Sequence, residues 1–226
     1  MAKLEYNAIC DELLGRPHVL IAGSTGSGKS VLINSILYTL LTYQPTDKQI
    51  VLIDPKRVEL YAYKKLPHCI GYASETSDTI ALLNKMCTVM DKRYSELQRQ
   101  GKKMYEGSDI YVIIDEFADL MITTKDAEPL IQRLAQLGRA ARVHLIIATQ
   151  APNRAVLKAN IMLNLNDRIA LHCNDAIESR QILGRKGAEI LPRFGQAIYK
   201  SPEKIYIMDV PYTEETKLTE RINFWI

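Results

Sequence analysis

No apolar run in this sequence approaches the roughly 18 residues that a membrane span needs, and the N-terminus "MAKLEYNAICDELLG" has no hydrophobic signal region. The expectation is a cytoplasmic chain with no direct membrane insertion. The four cysteines, Cys10, Cys69, Cys87 and Cys173, stand far apart without a CxxC pair, which argues against both a zinc site and a disulfide framework. Internal repeats, low-complexity tracts and Gly/Ser linkers are also missing. A net charge of +3, from 29 basic and 26 acidic residues, is too small to announce nucleic acid by itself. What is there is ordinary in composition: 226 residues, 47% hydrophobic and 24% charged, fit one globular domain over 1–226 with a short lead-in over 1–17.

Charge distribution says more than its sum. Residues 129–166 contain no acid but hold Arg133, Arg139, Arg142, Arg154 and Lys158. A second basic stretch, 184–204, carries Arg185, Lys186, Arg193, Lys200 and Lys204 against Glu189 and Glu203. For any single cation a solvated surface is the ordinary explanation.

Short apolar runs at 18–23, 49–54, 110–115, 143–149 and 168–173 alternate with helix-length segments. Runs of this kind are strands buried on both faces, so an α/β fold with a mostly parallel central sheet flanked by helices is expected. The spacing of Ile80, Leu83, Cys87, Met90, Tyr94 and Leu97 predicts an amphipathic helix over 76–98. Further helices are expected over 28–43, 127–141 and 213–224, with a hairpin near 195–199 and 205–209.

The octapeptide "GSTGSGKS", Gly23 to Ser30, fits Gly-x4-Gly-Lys-Ser between a strand and a helix, the setting of a phosphate-binding P-loop. Gly23, Ser24, Thr25, Gly26, Ser27, Gly28, Lys29, Ser30 and Val31 are therefore the candidate ATP-binding residues. Amides of Ser27 to Val31 would point at phosphate oxygens from a helix N-terminus. Lys29 would reach the β and γ phosphates, and Ser30 would ligate Mg²⁺. The strand "IYVIID" ends in Asp115 and Glu116, 86 residues beyond Lys29. Asp115 is placed to hold the magnesium shell, and Glu116 to polarise a water in line with the γ-phosphate. "VHLIIATQ" ends in Gln150, a candidate sensor of that phosphate. An Asp-Glu pair followed by a sensor strand suggests the additional-strand class of P-loop ATPases.

Beyond these, "GSTGSGKS", "LIDPKRVELYAYKKLPH", "MDKRYSEL", "IIDEFADLM", "RLAQLGRAARVHLIIATQAP", "LKANI" and "ESRQILGRKGAE" occur in an order and spacing that resemble the motor domain of the FtsK/SpoIIIE family of DNA translocases, from about His18 to Val210. The resemblance implies a RecA-like fold and a homo-oligomeric ring, a hexamer, with ATP at subunit interfaces and double-stranded DNA in the channel. It implies an arginine reaching the γ-phosphate from the neighbouring subunit, for which Arg180 is the candidate, with Arg139 and Arg168 next. Arg185, Lys186 and Arg193 are the candidate DNA contacts, followed by Arg154 and Lys158; the scarcity of aromatics among them favours duplex backbone over stacked single strands. Related ATPases of protein secretion, and motors of conjugative or phage DNA transfer, are the alternatives. Two departures from the family pattern stand out: "RFGQAIY" replaces the usual Gly-Asp-Met-Leu turn, and Arg142 replaces a usual glycine. The family's membrane segments and winged helix are not in this sequence, so either a trimmed chain or a minimal motor addressed by a membrane or DNA-binding partner is expected.

Overall fold

The computed structural model describes residues 6–42, 47–153 and 155–226. Arg154 lies outside the described residues. Eight strands form one sheet: β1 (His18–Ala22), β2 (Lys48–Ile53), β3 (Cys69–Ala73), β4 (Asp109–Ile114), β5 (Val143–Thr149), β6 (Asp167–Ala170), β7 (Gln196–Lys200) and β8 (Ile205–Asp209), in the order β3-β2-β4-β5-β1-β6-β7-β8. The first six positions pair in parallel, and the β7–β8 hairpin joins antiparallel to β6. Every residue of β1 and of β4 is buried, as the unbroken apolar runs require of strands covered on both faces.

Two core layers cover the sheet. On one face lie α1 (Tyr6–Leu14), α2 (Lys29–Thr42) and α8 (Glu215–Trp225). Within α2, Leu32, Ile33, Ile36, Leu37, Leu40 and Leu41 are buried, each worth about 1.5–3 kcal/mol relative to exposure. The Trp225 indole N–H donates to the Leu41 carbonyl at 2.8 Å and ties α8 to the end of α2. The opposite face is covered by α3 (Thr76–Gln100), α4 (Phe117–Thr123), α5 (Ala127–Leu137), α6 (Ala159–Met162) and α7 (Ala176–Leu183). Among the described residues no helix is long and apolar enough to cross a membrane.

The expected helix over 127–141 stops at Leu137, because Gly138 to Arg142 turn the chain back into β5. Arg142 has φ 53°, the left-handed region that favours glycine, and its guanidinium grips Asp109 through Nε at 2.7 Å and Nη2 at 2.8 Å. The exchange of glycine for arginine thus trades backbone ease for an ion pair. It lies at the sheet edge opposite the P-loop. The expected strand over 168–173 is shorter, ending at Ala170, while β3 was not expected at all.

Candidate nucleotide site

In a parallel sheet, ligands collect beyond the carboxyl ends of the strands, and the chain's chemistry-bearing residues gather there. The loop leaving β1 must fold tightly: a Cβ on Gly23 would meet the Leu171 Cβ and the Ser27 Oγ at 2.7 Å. Gly28 takes φ 97°, open only to glycine, just before α2 begins. The leading amides of α2, at Lys29, Ser30 and Val31, have no acceptor within the helix. The buried Ser27 hydroxyl has no partner among the described residues either. A ring of donors without acceptors is the complement of a phosphate.

Lys29, Asp115 and Glu116 are drawn together from two strands' ends. Lys29 Nζ donates to Asp115 Oδ1 at 2.6 Å and stands 3.8 Å from Glu116 Oε2, with all three side chains at most 5% exposed. Glu116 occupies φ 51°, ψ 63° at the start of α4, a conformation costing a non-glycine residue about 1–2 kcal/mol. Its Oε1 accepts from the Thr149 hydroxyl at 3.2 Å and from the Gln150 amide at 3.0 Å. The Gln150 side chain meanwhile accepts from the Thr25 hydroxyl at 2.8 Å, so one residue touches both the P-loop and the acid.

Sequence reasoning gave no role to the loop after β2, and that loop enters the site twice. Lys56 Nζ lies 3.5 Å from Glu116 Oε2 and 3.4 Å from Asp119 Oδ2. Partial burial pulls its pKa down, but the two carboxylates outweigh that and hold the ammonium above its ordinary value. Glu59 accepts from the Ser30 hydroxyl at 2.6 Å. These residues stand 29 and 60 positions from their partners, distances no local pattern encodes.

The remaining candidates separate. Arg180, on α7, is exposed, and its guanidinium makes one hydrogen bond among the described residues, a 3.5 Å contact with the Ala176 carbonyl. Arg168 is spent on its own chain, donating to the carbonyls of Leu165, Met162 and Ile182 at 2.7, 2.8 and 3.0 Å. Arg139 is exposed at the far edge of the sheet, before β5. Arg193 is not grouped with Arg185 and Lys186: its Nη2 lies 3.5 Å from where a Cβ on Gly26 would stand, over the P-loop turn. Arg185 and Lys186 are exposed at a groove of about 350 Å³ shared with Ile190, Ile205 and Ile207. Lys158 pairs with Glu128.

In this sheet β5, the strand ending in Thr149, lies between β1 and β4, which separates the P-loop strand from the acid-bearing strand. A P-loop so arranged, with a buried Lys-Asp-Glu cluster and a polar residue on the intervening strand, defines an additional-strand P-loop ATPase. The family follows from comparison. The sequence model of the FtsK/SpoIIIE family matches residues 4–109 and 98–154, and the chain belongs to that family. The DNA translocase FtsK of Campylobacter jejuni subsp. jejuni serotype O:23/36 (strain 81-176) is 37% identical over 96% of this chain and 25% of its own length. This chain therefore spans about a quarter of that relative. Among solved structures, TcpA, the pCW3 conjugation coupling protein in a monomer form with ATPγS, superposes with a TM-score of 0.82 at 28% identity, over 94% of this chain and 66% of that one. The cytoplasmic domain of the type VII secretion ATPase EccC of Thermomonospora curvata shares the fold, with a TM-score of 0.74 at 24% identity over 92% of this chain and 28% of that one.

Proposed function

We propose that the chain is the motor of an ATP-driven double-stranded DNA translocase working as a homo-oligomeric ring, a hexamer by family resemblance. The observation that carries the reading is the buried Lys29–Asp115–Glu116 cluster facing unsatisfied P-loop donors. ATP binding gives Lys29 a stronger partner than Asp115, and the lysine moves to the β and γ phosphates. The donor set around Ser30 is oxygen only, and no cluster of three or more metal-ligating side chains exists among the described residues. That fits Mg²⁺, which takes one or two protein oxygens and completes its shell with phosphates and water. Ser30 and the released Asp115 would hold it, and it would supply positive charge against the β and γ phosphates.

Glu116 then takes the proton of the attacking water, held for that task by Thr149 and the Gln150 amide. Gln150 couples the base to the P-loop through Thr25. Arg193, expected at DNA, is assigned to the nucleotide instead, as a cation of the same subunit over the phosphate loop. Among the described residues no second arginine is seen at the cluster, and the exposed Arg180 is assigned by family resemblance to the neighbouring protomer's nucleotide. Arg185 and Lys186 remain the duplex contacts, acting through phosphate charge and hence salt-sensitive.

The test is ATPase activity with and without duplex DNA across a range of protein concentrations. Turnover per chain is expected to rise with both. Hydrolysis indifferent to DNA and to concentration would overturn the reading.

A further inference from the structure

The motif "LIDPKRVELYAYKK" brings Lys56 to Glu116, and its loop is also built to hold a second side chain against the P-loop. Asp54, fully buried at the end of β2, accepts the Leu60 amide through Oδ2 at 3.0 Å, while Oδ1 has no partner among the described residues. The Arg57 amide donates to the Asp54 carbonyl at 3.1 Å, and Arg57 takes φ 57°. A second tie comes from the Tyr63 hydroxyl, which donates to Asn34 Oδ1 on α2 at 2.7 Å. Leu60 and Tyr63 are buried beneath the loop. Glu59, directly before Leu60, is thereby fixed with Oε1 at 2.6 Å from the Ser30 hydroxyl oxygen.

A serine hydroxyl has one proton and two lone pairs. With the proton committed to Glu59, both lone pairs of Ser30 are turned away from that carboxylate and left for a cation. Asp115 Oδ1 is engaged by Lys29 and makes no bond to Ser30, so Glu59 alone orients this hydroxyl among the described residues. It does so while leaving Asp115 available once Lys29 departs.

We infer that Glu59 is a positioning residue for the metal–nucleotide complex, orienting Ser30 as a ligand of Mg²⁺. The inference rests on the Mg²⁺-ATP reading of the P-loop given above. Outer-shell partners of metal ligands are worth about 10–100-fold in metal affinity.

The test titrates Mg²⁺ into the protein with a fluorescent ATP analogue and compares each affinity with that in EDTA. Glu59→Ala should need about tenfold more Mg²⁺ for half-maximal enhancement of binding, with affinity in EDTA within about twofold of the unchanged chain. Glu59→Gln, which keeps an acceptor but loses the charge, should fall between the two. Tyr63→Phe cuts one of the two ties that hold Glu59 and leaves the carboxylate itself in place, so it should raise the Mg²⁺ requirement by less than Glu59→Ala does. An equal Mg²⁺ requirement in Glu59→Ala and the unchanged chain, or an equal loss in EDTA, would overturn the role of Glu59 alone. Binding by the unchanged chain that ignores Mg²⁺ would instead remove the reading on which it rests.

Discussion

The strand β4 begins and ends in buried carboxylates, and the two ends are built to opposite purposes. At its start, Asp109 is saturated: Arg142 grips both oxygens, and His144 Nε2 lies 2.8 Å from Oδ1. Burial raises the Asp109 pKa, but His144 and Arg142 outweigh it and hold the carboxyl well below its ordinary value. Beyond the other end, Asp115 and Glu116 share Lys29, Lys56 stands beside Glu116 alone of the two, Glu116 is strained, and the neighbouring Ser27 and Asp54 keep oxygens without a partner among the described residues. One end spends its charges on holding the chain together. The other keeps them for a ligand.

Substitution at the two ends should therefore separate activity from stability. Glu116→Gln should lower kcat by at least about 100-fold, the lower range for loss of a general base, while thermal midpoint and nucleotide affinity hold. Single-turnover hydrolysis with a binding titration reads both. Asp109→Ala should do the reverse, costing about 3 kcal/mol by leaving Arg142 and His144 without their anion, with ATPase per folded molecule unchanged. Urea unfolding beside an activity assay checks it, and a matching fall in kcat would erase the contrast.

Acid should attack the same edge as Asp109→Ala does. His18, at the start of β1, is buried and accepts the Leu145 amide through Nδ1 at 3.1 Å. Burial first, and repulsion from His144 second, push its pKa down from 6.5 to about 3. The unfolded ring therefore takes a proton that the folded one refuses, and stability is lost as pH falls from about 6.5 towards 3. Asp109, with its folded pKa depressed, adds a stabilisation present above about pH 4 and lost below it. Thermal midpoints measured against pH should decline in these two stages, and Asp109→Asn should flatten the second. The smallest effect concerns Arg142. Arg142→Gly should be less destabilising than Arg142→Ala by about 1 kcal/mol, because glycine relieves the left-handed backbone and alanine does not.

The sequence made the P-loop, the Asp-Glu pair and five of the parallel strands legible, because each rests on a local pattern: a glycine spacing, an apolar run, or an acid at the end of such a run. What escaped has no such signature. The β3 segment "CIGYA" is short, contains a glycine, and lies half-buried at the sheet margin, so neither alternation nor an apolar run marks it. Helix α4 is a single short element whose first turn follows a strained acid. Lys56 and Glu59 read as surface charges in a Pro-containing loop until the fold brings them to Glu116 and Ser30. Arg193 escaped for the same reason, since only the return of the chain before β7 carries it to Gly26. The additional-strand arrangement, expected from motif order, is the sheet order found.

That order fixes a width. Strands in a sheet stand about 4.8 Å apart, so with β5 interposed the end of β4 is about 10 Å from the end of β1. The interposed strand sets Thr149 and Gln150 between the glycine turn and the acid, where Glu116 Oε1 accepts from both.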